Sequence, residues 1–192
     1  MQLGFYFDQT RCVGCFTCAV ACKDWHGTPA GGVKWISLTC KEEGVFPNLF
    51  LAYLIRPCYH CEKPACVEAC PVDAITKREK DGVVLVDGDV CLGESACGGM
   101  CRQACPYNAP QFGDDVDCKM EKCDFCFERW DQGKMPVCIE ACPMRALDAG
   151  PLEELIMKYG DNTEGAGFVY VSEVGPSVRL KGKQKPLDIK SD

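Results

Sequence analysis

The chain has 192 residues, 28 acidic and 21 basic side chains for a formal net charge of -7, and 18 cysteines. With no long basic run, that balance argues against a nucleic-acid partner, and no stretch approaches the roughly 18–20 consecutive apolar residues of a membrane span. So many cysteines mean a disulfide framework or a metal protein; the start MQLGFYFDQTRC has no basic run followed by an apolar one, gives no sign of self-directed export, and so favours metal.

In chain order, the apolar run at residues 3–7 predicts a first strand. It leads into CVGCFTCAVAC, where Cys12, Cys15, Cys18 and Cys22 follow the C-x2-C-x2-C-x3-C spacing of a ferredoxin cluster loop. A strand is expected at residues 50–55, and then CYHCEKPACVEACP carries Cys58, Cys61, Cys66 and Cys70. Another at 83–86 precedes CLGESACGGMCRQACP, which ends as a cluster motif should but opens with stretched spacing around Cys91, Cys97, Cys101 and Cys105. The fourth group, CDFCFERWDQGKMPVCIEACP, holds Cys123, Cys126, Cys138 and Cys142. These cysteine-rich segments read as loops with single helical turns. GPLEELIMKYG predicts a helix, with Pro151 at its start, acids in its first turn and Gly160 at its end. FVYVSE and SVRLK are expected to be strands, and the polar KGKQKPLDIKSD either a flexible tail or a segment docked along a larger partner.

Two internal repeats organise the cysteines. PACVEACPVDAI in the second group aligns with PVCIEACPMRAL in the fourth, and FYFDQTRC before the first group matches VLVDGDVC before the third. In the latter pair an aspartate stands four residues ahead of the first cysteine. The order A, B, A′, B′ describes a duplicated two-cluster ferredoxin. It also explains the stretched motif, since Cys91 answers to Cys12, Cys97 to Cys15, Cys101 to Cys18 and Cys105 to Cys22, with four residues inserted. Gly93, Gly98 and Gly99 let that insertion bulge. All four thiols survive it, so a cubane is expected there, with a three-iron cluster or none as the alternatives.

Thiolate is the soft anionic ligand that an iron of a [4Fe-4S] cluster requires. Three closely spaced cysteines wrap three corners of the cube, and in two-cluster ferredoxins the last cysteine of each run crosses to the other cluster. The sequence alone leaves the pairing of groups open. Shared EACP endings and nested order favour first with fourth and second with third. That gives Cys12, Cys15, Cys18 with Cys142; Cys123, Cys126, Cys138 with Cys22; Cys58, Cys61, Cys66 with Cys105; and Cys91, Cys97, Cys101 with Cys70. Zinc fits poorly, because its sites show two separated pairs rather than a triplet.

Cys40 and Cys118 stand outside the groups and read as buried, inert thiols. His60 reads as a packing or hydrogen-bonding residue, since no cysteine is missing for it to replace. Trp25, Trp35 and Trp130 read as core or interface residues. Lys122, before Cys123, and Arg102, beside Cys101, either raise a cluster's potential or are solvated surface charges.

GFYFDQTRCVGCFTCAVACKD, CYHCEKPACVEACPVDAITKRE, ACPYNAPQF and CDFCFERWDQGKMPVCIEACPMRALDAGPLEEL resemble the four-cluster iron-sulfur subunit of dimethyl sulfoxide reductase and its relatives, over about residues 4–160. The resemblance implies anaerobic metabolism and a large catalytic partner with molybdenum or tungsten on a pair of pyranopterin guanine dinucleotides. A membrane anchor that exchanges electrons with quinol is a further possible partner, as is a soluble redox protein. Such subunits either remain cytoplasmic or are exported already folded with a leader-bearing partner. The stretched third motif departs from the family's more usual spacing.

The expected fold is α+β, a loop-rich duplicated ferredoxin with short strands and helical turns around four clusters. Residues 1–48 and 113–150 would form an outer module, 49–112 an inner one, and 151–192 a helix and partner-docking extension. No glycine-rich nucleotide loop or nucleophile with a recognisable base is present, so the chain reads as a non-catalytic electron-transfer subunit of an oxidoreductase. Its alternatives are a polyferredoxin serving a hydrogenase or similar enzyme, and a mainly structural subunit of a transhydroxylase-type complex. Four clusters with sixteen thiolates add about -8 to the formal charge; an apoprotein lacking them should fold poorly.

Overall fold

A computed structural model describes residues 1–115 and 118–185. The last seven residues of KGKQKPLDIKSD lie outside the described residues. Strand β1 (Leu3–Asp8) is buried along its whole length, which is why its sequence is an apolar run rather than an alternation. It is the middle of a three-stranded sheet, antiparallel to β6 (Leu147–Pro151) and parallel to β7 (Val178–Lys181). Phe5 faces Ala149 on one side and Val178 on the other. Two further antiparallel pairs complete the β structure: β2 (Ser37–Glu43) with β3 (Phe50–Arg56), and β4 (Ile75–Lys77) with β5 (Val84–Val86).

The expected strands at 3–7, 50–55, 83–86 and SVRLK correspond to β1, β3, β5 and β7. Strands β2, β4 and β6 lacked a signal, β4 being only three residues long. The residues of β2, SLTCKEE, lie mostly exposed on one edge and show no apolar alternation. In β6 the sequence LDAGP carries poor strand formers, and the ladder to β1 overrides them.

FVYVSE is not a strand. Phe168 makes an isolated bridge to Gly165, and its ring stacks on Tyr107 at 5.7 Å. The Tyr107 hydroxyl accepts from the Val171 amide at 3.0 Å and donates to the Val169 carbonyl at 3.3 Å. One side chain thus satisfies backbone groups that a neighbouring strand would otherwise serve.

The helices begin where the motifs place them: α1 (Thr17–Trp25), α2 (Ala65–Glu68), α3 (Glu94–Cys97), α4 (Met100–Ala104), α5 (Phe127–Asp131) and α6 (Val137–Ala141). All but the nine-residue α1 are single turns, as expected. The helix α7 (Leu152–Tyr159) follows Pro151, has Glu153 and Glu154 in its first turn and ends at Gly160, whose φ is 88°. Helix α1 packs on α6, and α2 on α4, so the first cysteine group meets the fourth and the second meets the third.

The repeated aspartates start these loops. Asp8 Oδ1 accepts from the Thr10 amide at 2.9 Å while its carbonyl accepts from Cys12; Asp87 Oδ1 accepts from the Asp89 amide at 2.9 Å while its carbonyl accepts from Cys91. Each closes the turn that delivers the first cysteine of a motif.

Residues 174–178 run between the parts. Ser177 donates its amide to the Tyr59 carbonyl and its hydroxyl to the His60 carbonyl, while its own carbonyl accepts from Phe5. Two apolar cores result. One surrounds β1 with Phe5, Phe7, Phe125 and six buried cysteines, and a smaller one joins Ala74, Ile75, Val84 and Met120 to Cys66, Cys91 and Cys101.

Candidate metal centres

All eighteen cysteines are free thiols, and sixteen gather into four foursomes. Cys12, Cys15, Cys18 and Cys142 line one apolar cavity, and Cys70, Cys91, Cys97 and Cys101 line another. In the other two, the thiols' effects on one another show their proximity. Burial, reinforced by Cys126, pushes the Cys22 thiol up to about 12. Burial and then Cys126 and Cys22 drive Cys138 well above its usual range. Cys123 is driven the same way by burial and then Cys22. Cys61 and Cys66 are each pushed up to about 12 by burial, with Cys58 and Cys105 acting in the same direction. Each of the two cavities therefore takes three cysteines from one motif and the last cysteine of its partner motif, and the packing of α1 on α6 and of α2 on α4 brings the other eight thiols together across the same two pairs of motifs.

Loop geometry aims these thiols. Gly14, between Cys12 and Cys15, has φ 69°, and Tyr53 ring atoms lie 2.4–2.8 Å from where a Cβ would stand, so only glycine fits. In the stretched motif, Gly98 and Gly99 are both left-handed, with φ 68° and 64°, and turn the chain between α3 and α4 so that Cys97 rejoins Cys91 and Cys101.

A feature absent from the sequence reading recurs three times. In Cys70-Pro-Val-Asp73-Ala, Cys105-Pro-Tyr-Asn108-Ala and Cys142-Pro-Met-Arg145-Ala, the residue three after the cysteine is left-handed, with φ 54°, 51° and 49°. In the latter two the following alanine amide points back at the cysteine sulfur, at 3.5 Å from Ala109 and 3.4 Å from Ala146. The repeated Cys-Pro-x-x-Ala was its signal.

The donor set fits an iron-sulfur cluster. Each foursome offers four sulfurs, most of them buried or half-buried, the donor set an iron-sulfur cluster requires. Several sulfurs accept further hydrogen bonds, as a cysteinyl thiolate does: Cys15 from the Thr17 hydroxyl at 3.3 Å, Cys123 from the Phe125 amide and Cys91 from the Met120 amide, both at 3.5 Å.

His26, which no cysteine motif contains, also reaches a foursome. Its Nε2 lies 3.4 Å from the Cys126 sulfur and 3.7 Å from Asp124 Oδ1. These three side chains are a compact metal-capable group in their own right, but Cys126 already belongs to a foursome. The clue is spacing, since His26 lies four residues beyond Cys22, on the same face of the helical path of α1. Trp35 packs on the imidazole at 4.2 Å and is itself held by its indole N–H to Glu121 at 2.9 Å.

His60 is fully buried, takes the Val84 amide on Nδ1 at 3.0 Å, and packs against Phe5 and Phe125. Burial, then Lys122, depress its pKa well below the usual imidazole value. Trp130 packs on Phe125, whereas Trp25 is 53 % exposed beneath the Arg129 guanidinium. Arg102 lies at the surface, paired with Glu94, but Lys122 is only 2 % exposed. Cys40 and Cys118 join no foursome. Cys40 is exposed rather than buried, because it sits on the edge strand β2 opposite Tyr53; Cys118 is half-buried and its Sγ donates to the Gly113 carbonyl at 3.0 Å.

A family model for the 4Fe-4S dicluster domain matches residues 49–152. The chain is similar to the B subunit of anaerobic dimethyl sulfoxide reductase of Escherichia coli K12, 47% identical over 192 residues covering 94% of this chain and 88% of that one. It is 42% identical to the corresponding B subunit of Haemophilus influenzae, covering 94% of this chain and 89% of that one. It is 34% identical over 155 residues to protein NrfC of Escherichia coli K12, covering 80% of this chain and 67% of that one. With its cysteine foursomes and this likeness along nearly its whole length, the chain belongs to the iron-sulfur subunit family of dimethyl sulfoxide reductase, as an electron-transfer protein of four [4Fe-4S] clusters.

Proposed function

We propose that the chain is a duplicated ferredoxin that relays electrons to or from a molybdenum or tungsten bis-pyranopterin catalytic subunit. Residues 1–48 and 113–150 are its outer module, 49–112 its inner module, and 151–192 the extension that docks on the partner while α7 and β7 within it pack on the central sheet. The supporting observation is the crossing pattern: Cys142, Cys22, Cys105 and Cys70 each stand with three cysteines of another motif. Those four foursomes are the ligand sets. When bound, a [4Fe-4S] cluster supplies one-electron redox chemistry.

The polypeptide holds the sulfurs, supplies hydrogen bonds to them and buries most of them. Phe7 and Ile55 close the first foursome's cavity from inside, while Phe16, Met144 and Cys15 itself are partly open to solvent at its rim. That rim suits electron exchange with a docked protein. The catalytic partner is suggested by relatives named as the B subunit of dimethyl sulfoxide reductase. Among the described residues no helix is long and apolar enough to cross a membrane; a membrane anchor subunit or a soluble redox protein is a further partner. The complex works in the cytoplasm, or at the membrane after export with a leader-bearing partner; fractionation of native cells distinguishes the two.

Metal analysis of the complex purified anaerobically from its native host tests the reading. About sixteen irons per chain, four for each cluster, with about one molybdenum or tungsten, are expected. Iron without either heavier metal, in a preparation retaining its partners, would instead favour a polyferredoxin. Clusters that neither reduce nor reoxidise during turnover would favour a structural subunit. Cys142→Ser is expected to perturb the cluster of Cys12, Cys15 and Cys18. Loss confined to the cluster of Cys123, Cys126 and Cys138 would overturn the crossing.

A further inference from the structure

Among the buried cations, Lys122 has no acidic partner. Arg129 pairs with Glu140 at 2.5 Å and Arg179 with Asp161 at 2.5 Å, but among the described residues no carboxylate forms an ion pair with Lys122. Its Nζ donates to the carbonyls of Val84 and Cys123, the latter at 3.1 Å. Two carbonyls satisfy hydrogen-bonding geometry without neutralising an ammonium, and burial of an uncompensated charge is strongly disfavoured. A mere structural strut could be a neutral donor.

The surroundings identify where a counter-charge belongs. Val84 opens β5, and its amide binds His60, which stands between Cys58 and Cys61. Cys123 opens the fourth motif, which meets the first, and so Cys22, through the packing of α1 on α6. The ammonium therefore rests on one carbonyl from each side of the boundary between these two foursomes. Val84 also shares the smaller buried core with Cys66. Four thiolates around a cubane in its 2+ state make a dianion, so two anionic centres flank one cation.

We propose that Lys122 is the fixed counter-ion shared by the foursomes Cys58, Cys61, Cys66, Cys105 and Cys22, Cys123, Cys126, Cys138, and that it raises the reduction potentials of both. It is a positioning residue for charge along the relay. An added electron makes each centre more negative, so a nearby cation favours the reduced form. The inference rests on the ligand sets above.

The test is an EPR-monitored redox titration of the intact complex carrying Lys122→Met, Lys122→Gln or Lys122→Arg, with iron measured in each and clusters assigned by cysteine-to-serine variants. In Met and Gln, the midpoint potentials of those two clusters should move negative while the other two stay, and Arg should restore them. Unchanged potentials in Lys122→Gln, a uniform shift of all four clusters, or Arg behaving as Gln would each overturn the proposal. Iron loss in Met and Gln but not Arg supports a charge requirement; loss in all three shows that shape governs and also overturns it. Failure of the ligand reading would be visible separately, as an iron content or cluster assignment in the unsubstituted complex that does not match the four foursomes.

Discussion

At the residue scale, His26 shows how a single side chain can address a metal ligand. Both neighbours of its Nε2, the Cys126 sulfur and an Asp124 oxygen, are acceptors when Cys126 is a bound thiolate, so this nitrogen carries the hydrogen. The bond withdraws charge from the sulfur and favours the reduced centre. His26→Leu should therefore lower the potential of the cluster ligated by Cys126, by up to about 60 mV, a tenfold change in a one-electron equilibrium. Potentiometry on the variant checks this, and an unshifted potential would show that the contact does not tune the centre. The sixteen cysteines were legible because their spacing is local. His26 was not, because its partner lies 100 residues away, and the burial of Lys122 contradicts what its side-chain type suggests.

At the scale of elements, α7 is fastened to the central sheet through Asp148 of β6. The Tyr159 hydroxyl donates to Asp148 Oδ2 at 2.7 Å and Lys158 Nζ lies 2.9 Å from the same oxygen, while the Tyr159 ring stacks on Tyr6 at 3.7 Å. Burial works to raise the Asp148 carboxyl, but these hydrogen bonds outweigh it and hold it below its usual range. A carboxyl depressed in the folded state stabilises the fold above its unfolded value, about 3.9, and that contribution disappears as pH falls through the folded value. Denaturation of the holoprotein at several pH values should show a shallower acid loss for Asp148→Asn. Tyr159→Phe should cost about 0.5–1.5 kcal/mol at neutral pH. The helix of this clamp was readable from Pro151, its acids and Gly160. Strand β6 was not, since what makes LDAGP a strand is its pairing with β1 rather than anything local.

For the whole molecule, the main consequence is that cysteines occupy the places where aliphatic side chains would stand in a metal-free protein of this size. Six belong to the buried core around β1 and three to the smaller one. Metal-binding free energy is then folding free energy. Anaerobic removal of iron should abolish near-UV circular dichroism and expose the chain to protease throughout. An iron-free form with native dichroism and resistance would show that the polypeptide core suffices. The repeats made the four loops readable and favoured one pairing of them without fixing it, whereas the closure of the sheet by β7 joins segments that share no motif.

That closure also sets an order of events during synthesis. Strand β1 leaves the ribosome well before its parallel neighbour, residues 178–181, so Phe5 waits for Val178. Such a long-range contact closes late. Until then one edge of β1 and the backbone groups of Tyr59 and His60 that Ser177 will cap remain open. The nascent chain thus has an interval in which its cysteine loops are made and the sheet is unsealed, a natural window for delivering iron and sulfide before β7 shuts the interior.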